Sequence, residues 1–252
     1  MAGLHAYHPS SVPSGATVLT LSPAESAHLV RSLRARVGED IHAFDGTGRS
    51  WDGTVAEADA RALVMRIDAT RALTPPTPAL ALAQVLPKGG LMDDIVRAAV
   101  EIGVAEIHPL FSAHCEVKLD AARAAARVER WNAIAVEACK QSGNPFLPRI
   151  APPVPLEAWL AGLAADTLAF AGSLADGAPP FSGIRLPDTA PARLLFLIGP
   201  EGDFSQAEHA LIRERGVLGV RFGENVLRVP TAALYALAAL DQLRRRPESP
   251  PR

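Results

Sequence analysis

Three short glycine-bearing runs hold the residues best suited to close contact with a ligand: Ala171-Gly172-Ser173, Gly199-Pro200-Glu201-Gly202 and Gly223-Glu224-Asn225-Val226-Leu227-Arg228. Glycine adopts dihedrals closed to other residues and lets backbone approach a bound molecule. Backbone N–H and C=O groups in such turns can read an adenine edge without a dedicated side chain. A single turn of this kind needs no function, but three at consecutive strand ends point to a site. None is the G-x-G-x-x-G fingerprint of a dinucleotide fold, which argues against hydride transfer, and none is a Walker A loop. Cys115 and Cys139 lack metal-ligand spacing and the histidines are scattered, so no metal is expected.

The elements that must position these runs change character near residue 74. Residues 1–73 carry short β-like stretches at His5–His8, Thr17–Leu21, Asp40–Phe44, Ser50–Glu57 and Leu63–Ile67. Asp45-Gly46-Thr47-Gly48 reads as a hairpin loop. Ser22-Pro23-Ala24-Glu25 starts a helix, with a capping Ser, a first-turn Pro and a Glu three residues after the cap. That helix is expected to run to about Arg36 and stop before Gly38. The first segment thus reads as a small β-barrel with one helix.

Beyond the stiff linker Thr74-Pro75-Pro76-Thr77-Pro78, residues 74–252 alternate strand and helix. Strands are expected at Ala79–Leu86, Ala105–Leu110, Thr167–Ala171, Leu194–Ile198 and Val217–Phe222. Helices are expected at Leu91–Ile102, Ala121–Gln141, Ser205–Arg215 and Thr231–Arg246, with stops at Gly103, Gly143 and Gly216. Residues 173–193 read as a long surface loop, and Pro247–Arg252 as a disordered tail. Alternation of this kind gives an α/β fold with a mostly parallel sheet, whose ligands sit beyond the strands' carboxyl ends.

Composition sets outer bounds. Hydrophobic residues make up 48% and aromatics 5%, so the core must be aliphatic. The net charge of −2 argues against a nonspecific nucleic-acid coat, though not against a local basic face. No leader pattern opens the chain and no apolar stretch reads as a membrane span, so a cytoplasmic protein is expected.

The run Leu195–Ser205, with Ile198-Gly199-Pro200-Glu201-Gly202-Asp203-Phe204-Ser205, resembles the cofactor-loop motif IGPEGGFS of the RsmE family of RNA methyltransferases. Leu227-Arg228-Val229-Pro230-Thr231-Ala232-Ala233 is similar to that family's LR-x-x-TA segment. Lys88-Gly89 with Glu101-Ile102-Gly103, the helix end Glu137–Gly143, and His28–Arg34 with Gly38 and Asp45–Gly48 match further stretches in order. The resemblance implies an N-terminal PUA-like RNA-binding barrel (1–73) and a SPOUT methyltransferase domain tied in a trefoil knot (74–252). Knots break the usual topology rules, so periodicity cannot reveal one. It further implies S-adenosylmethionine as cofactor, a homodimer, and methylation of N3 of a uridine in 16S ribosomal RNA or the small ribosomal subunit.

Cofactor contacts are then expected from Gly172, Ile198, Gly199, Pro200, Glu201, Gly202, Gly223, Val226, Leu227, Arg228 and Thr231. Uracil N3 carries a proton at neutral pH and lies on the Watson–Crick edge, so it must be deprotonated and unpaired. Arg228 is the candidate for stabilising the electron-rich base, and Glu201 for ordering its loop or acting as base. RNA contacts are expected from Arg31, Arg34, Arg36, Lys88, Lys118 and Lys140, within a basic set that also holds Arg123, Arg127, Arg130 and Arg149. His28 is expected to fix the barrel, and Cys139 to be buried. The helix after Thr231 is apolar nearly all round, which suits a two-fold interface. Asp203 stands where the family usually has Gly. His114, Cys115, Asn144, Asn225, Val229 and Pro230 also depart from its pattern and put target choice in doubt. The alternatives are another enzyme of the same superfamily and a non-catalytic RNA-binding assembly factor.

Overall fold

A computed structural model describes residues 3–173, 175 and 177–245. The expected tail Pro247–Arg252 lies outside the described residues. Two compact units divide the chain: Met1–Pro75 with Val136–Leu147, and Pro76–Ala135 with Pro148–Arg252.

In the first unit, β1 (Leu4–Tyr7), β2 (Val18–Thr20), β3 (Asp40–Phe44), β4 (Arg49–Glu57) and β5 (Val64–Ala72) form a sheet of order β1-β3-β4-β5-β2. Its neighbours are antiparallel except for the parallel pair β1–β3. Leu19, Leu29, Ile41, Trp51, Val55 and Met65 belong to its core. The loop Asp45–Gly48 turns β3 into β4 as the sequence predicts. Gly48 has φ +104°, and a Cβ there would stand 2.6 Å from the Leu73 carbonyl oxygen, so only glycine fits.

The helix of this unit is shorter than predicted. α1 (Pro23–Ala27) passes into a π-helical turn, His28–Ser32, and ends there. Arg34 takes the left-handed conformation (φ +57°), and the Ala35 N–H returns to the Leu29 carbonyl, which closes the helix before Arg36. The expected cap at Ser22 is present, its Oγ accepting the Glu25 N–H at 3.3 Å. The Glu25 carboxylate is engaged elsewhere: it accepts from Lys140 Nζ at 3.0 and 3.3 Å. Ser26 is fully buried, donating to the Ser22 carbonyl and accepting the Leu63 N–H, and so fixes α1 to the sheet's edge.

The second unit is a seven-stranded sheet built on β6 (Ala79–Val85), β7 (Glu106–Phe111), β8 (Arg149–Ile150), β9 (Val154–Pro155), β10 (Thr167–Gly172), β11 (Arg193–Ile198) and β12 (Leu218–Val220). The order is β12-β10-β11-β6-β7-β8, with β9 also on β7, and every pairing is parallel. The apolar runs of β6, broken only by the buried Gln84, and of β11 after Arg193 are buried on both faces, as such a sheet requires. Its helices are α2 (Leu91–Ile102), the part of α3 (Ala121–Ser142) before Val136, α4 (Leu156–Ala161), α5 (Gln206–Glu214) and α6 (Val229–Arg244). α2 ends at Gly103 (φ +92°), and α5 opens with the complete Ser205/Glu208 capping box. The sequence reading did not anticipate β8, β9 and α4. α6 begins two residues earlier than expected, with Pro230 inside its first turn, where a missing N–H leaves no bond unmade.

Candidate functional site

β12, β10 and β11 are neighbours and parallel, so the loops leaving their carboxyl ends share one rim. β10 delivers Gly172 and Ser173, and β11 delivers Ile198 through Glu201. The segment after β12 delivers Arg221 through Gly223, then Asn225 through Ala232 leading into α6. Together these residues wall a cleft of about 630 Å³, within the range of small-molecule sites. Phe222 forms part of its wall, stacked on Phe196 at 4.9 Å and 4.8 Å from Tyr235, centroid to centroid.

Gly172, Ile198, Gly199, Pro200, Glu201, Gly223, Val226, Leu227, Arg228 and Thr231, all singled out from the sequence, line this cleft. Gly202 does not. A turn closes from the Asp203 N–H to the Pro200 carbonyl at 3.2 Å, and Gly202 faces a smaller cavity with Lys88, His114 and Glu116. His114 Nδ1 lies 3.1 Å from the Gly202 carbonyl oxygen and 2.9 Å from that of Asp203. Asp203 itself is left-handed (φ +59°), which suits the glycine usual in the motif it resembles. Aspartate tolerates this conformation better than most residues because its side chain bonds locally. Here Oδ1 accepts the Phe204 N–H at 2.7 Å, and Oδ2 lies 3.2 Å from His209 Nε2.

Glu201 Oε1 accepts the Lys88 backbone N–H at 3.1 Å, tying the loop after β11 to the loop after β6. Lys88 Nζ pairs with Glu116 at 2.7 Å, and the hydrogen bond to Glu116 is the main reason its pKa is raised. Both side chains are exposed, so the pair holds the lysine only weakly. Arg228 is the N-cap residue of α6, in extended backbone, with an exposed side chain and no ion-pair partner among the described residues. Glu208 fastens the neighbouring wall: Oε1 accepts the Ala113 N–H and Oε2 the Ser205 N–H, each at 2.8 Å. Burial alone would raise its pKa, but these bonds outweigh burial and hold the carboxyl below the usual range.

The remaining sequence candidates are dispersed. Arg31, Arg34 and Arg36 are exposed in the first unit, and Lys118 is exposed in the second. Lys140 belongs to no basic surface. Its side chain is 8% exposed and bonded to Glu25 and Glu137, so its charge is neutralised internally. His28 is exposed, so it does not anchor the sheet. Cys139 is fully buried, and burial pushes its thiol up to about 12, leaving it unreactive. Leu91, Ser173, Phe204, Arg221, Phe222 and Asn225 line the cleft without having been expected. Most adjoin the predicted glycines in sequence; Leu91 comes from the start of α2 and carried no such signal. Among the described residues, no three His, Cys, Asp or Glu side chains gather as metal ligands. No described helix is long and apolar enough to cross a membrane.

Residues 75–241 match the RNA methyltransferase domain family, and residues 21–68 match the RNA methyltransferase PUA domain. The chain is 30% identical over 227 residues to a ribosomal RNA small subunit methyltransferase E from Synechocystis, covering 89% of this chain and 73% of the relative. It is 27% identical over 240 residues to the enzyme of the same name from Mycobacterium bovis, covering 94% and 91%. The crystal structure of a ribosomal RNA small subunit methyltransferase E from Neisseria gonorrhoeae, bound to S-adenosyl methionine, superposes with a TM-score of 0.85 at 28% identity, covering 96% of this chain and 98% of that one. The loops that meet at the cleft thus belong to an RNA methyltransferase, and the chain is a member of the ribosomal RNA small subunit methyltransferase E family.

Proposed function

We propose that this enzyme transfers a methyl group from S-adenosylmethionine to N3 of a uridine in 16S ribosomal RNA, in the cytoplasm. The observation that carries the reading is the cleft at three adjacent parallel strand ends, walled by the very loops that bear the family's motifs. The chain's residues fit the cofactor. Open space surrounds the position of an added Cβ at Gly172 and Gly223, so backbone polar groups there stay within reach of an adenine edge. Leu91, Val226 and Leu227 offer apolar surface to its faces.

S-adenosylmethionine supplies an electrophilic methyl group on a sulfonium whose sulfur departs uncharged, so the demand falls on the acceptor. Uracil N3 must lose its proton, and negative charge then spreads onto the adjoining carbonyl oxygens. Arg228, exposed at the rim and unpaired, donates hydrogen bonds to that carbonyl edge as the charge develops. Glu201 holds its loop through the Lys88 N–H and is the candidate proton acceptor on the same rim. The base enters unpaired, because N3 lies on its Watson–Crick edge. Arg31, Arg34 and Arg36 supply phosphate contacts from the PUA unit, and Lys88 and Lys118 from the methyltransferase unit.

The proposed working form is a homodimer. α6 buries Ala233, Ala236, Leu237 and Leu240 yet leaves Tyr235 49% and Leu234 37% exposed, apolar surface on its solvent side that a two-fold contact would cover. The loops after β11 and β12 are proposed to be those of a trefoil knot. The test is mass spectrometry of ribosomal RNA nucleosides from a strain lacking this protein, before and after incubation of its small subunits with purified protein and S-adenosylmethionine. Appearance of 3-methyluridine is expected. A methyl group at another position overturns the N3 assignment, and no cofactor binding by calorimetry overturns the whole reading.

A further inference from the structure

The stretch Leu86–Leu91 walls more than the cofactor cleft. Leu91 lines that cleft, whereas Leu86, Pro87, Gly89 and Gly90 line a separate cavity of about 310 Å³ on the methyltransferase unit. Its opposite wall is α3, and a shallower hollow continues along α3 past Val117, Lys118 and Leu119. Arg123, Arg127 and Arg130 recur at helical spacing, so they share one face of α3, and all three line these hollows. With Lys118 they make four cations. Asp93 is the only acid among the lining residues.

The state of each cation matters. Asp93 Oδ2 accepts from Arg130 Nε at 2.8 Å and also from its Nη2, so that guanidinium is fixed in direction by a largely buried carboxylate. Arg123 touches only the exposed Asp120, at 3.5 Å. Lys118 and Arg127 form no ion pair among the described residues. An ordinary solvated helix face interleaves acids with its bases. This one is concave, carries two unpaired cations and one oriented guanidinium, and has apolar walls at Val117, Leu119 and Met92. Gly89 and Gly90 have open space around the position of an added Cβ, so the opposite wall presents bare backbone.

We propose that this basic hollow is an RNA subsite that holds a backbone phosphodiester beside the target nucleotide. Lys118 and Arg127 neutralise the phosphate, Arg130 donates to it in a fixed direction, and Val117 and Leu119 take the ribose. The adjacency follows from the chain: Gly90 and Leu91 are consecutive, and consecutive Cα atoms lie about 3.8 Å apart, so one segment borders both the methyl donor's cleft and the phosphate subsite. The proposal rests on the reading of the chain as a ribosomal RNA methyltransferase. It adds where the methyltransferase unit grips the RNA backbone: in the hollow between α3 and the Leu86–Gly90 stretch, with Arg127 and Arg130 joining Lys118.

The test compares wild type with Lys118→Gln/Arg127→Gln in three measurements: S-adenosylmethionine affinity by calorimetry, RNA binding by anisotropy across a salt series, and methyl transfer to small subunits. Wild-type transfer is measured first, and its absence defeats the underlying reading, whereas the binding series still judges the hollow. The double variant is expected to raise KM for RNA about tenfold or more, to lower the salt slope by about 0.7–0.9 for one phosphate lost, and to leave cofactor affinity unchanged. Arg127→Lys, which keeps the charge, should restore most of the binding. Unchanged KM and salt slope overturn the proposal. Loss of RNA binding that Arg127→Lys does not restore, accompanied by lost cofactor affinity, marks a structural defect and also counts against it.

Discussion

The cleft proposed for the cofactor and the basic hollow share the segment Leu86–Leu91, yet they are built on opposite plans. The cleft is walled by turns at strand ends, where bare backbone at Gly172, Gly199 and Gly223 lies beside polar side chains such as Glu201, Arg228 and Thr231. The hollow sets the guanidinium groups of one α3 face and the Lys118 ammonium opposite the Leu86–Gly90 stretch, with Asp93 beside them. The first plan presents rigid groups whose positions follow from the sheet. The second presents long cationic side chains, one of them held by Asp93 and the others weakly paired or free of ion pairs among the described residues, that can follow a flexible polyanion. A small cofactor of fixed covalent shape suits the former and RNA the latter.

Arg228→Ala is the sharpest way to split the two plans, because Arg228 is a side chain placed among backbone. Methyl transfer is expected to fall about 100-fold or more in kcat, with cofactor Kd unchanged in calorimetry. A tenfold loss of cofactor affinity with intact kcat would instead make Arg228 part of the cofactor's cradle. Next in size is Gly199→Val. A Cβ there would stand 3.0 Å from the Phe204 ring, so the ring must give by a few tenths of an ångström, and the rest of the valine side chain adds bulk to the cleft wall. Cofactor affinity should drop about tenfold, or about 1.4 kcal/mol. Gly202→Ala is its control: the added Cβ meets His114 at an ordinary 3.5 Å, and affinity should stay within about twofold, since such changes are worth at most about 0.5 kcal/mol. Equal losses in both variants would break the distinction between the cleft-facing and outward-facing halves of that turn.

The smallest effect concerns the wall beside the cleft. Glu208 has its folded pKa depressed, so its contribution to stability is present above the unfolded carboxyl pKa and is lost as pH falls through the folded value. Glu208→Gln should therefore lower the thermal midpoint at neutral pH and converge on wild type as pH falls, which flattens the acid limb of a plot of midpoint against pH. An acid limb identical to wild type would remove Glu208 from that role.

Much of this arrangement was legible in the sequence. Apolar runs without alternation marked strands buried on two faces, and Gly103, Gly143 and Gly216 marked helix ends, each with positive φ. The glycine turns located the cleft because glycine's reason for being there is local. What failed was non-local. Lys140 looked like a surface cation because nothing in its own helix shows Glu25, 115 residues away, closing on it. Arg34 looked helical because left-handed arginine has no composition signature. Gly202 belonged to a glycine motif, but the turn closing at Asp203 carries it to the other side of the loop. The proline-rich stretch 148–155 concealed two two-residue strands too short to show periodicity.

The assignment of Val136–Leu147 to the first unit, far from the rest of it in sequence, has a practical side. Cutting the chain once, at the prolines near 75, cannot release the PUA-bearing unit whole. The fragment would lack the buried partner of Glu25 and the carbonyl of Pro145 that receives the Gly48 N–H, and the remainder would carry a lysine bereft of one of its carboxylates. Exchange of this unit between relatives by a single crossover is therefore disfavoured. A functional chimera needs two grafts, and sequence drift at Glu25 and Lys140 should be correlated even though no reading frame segment joins them.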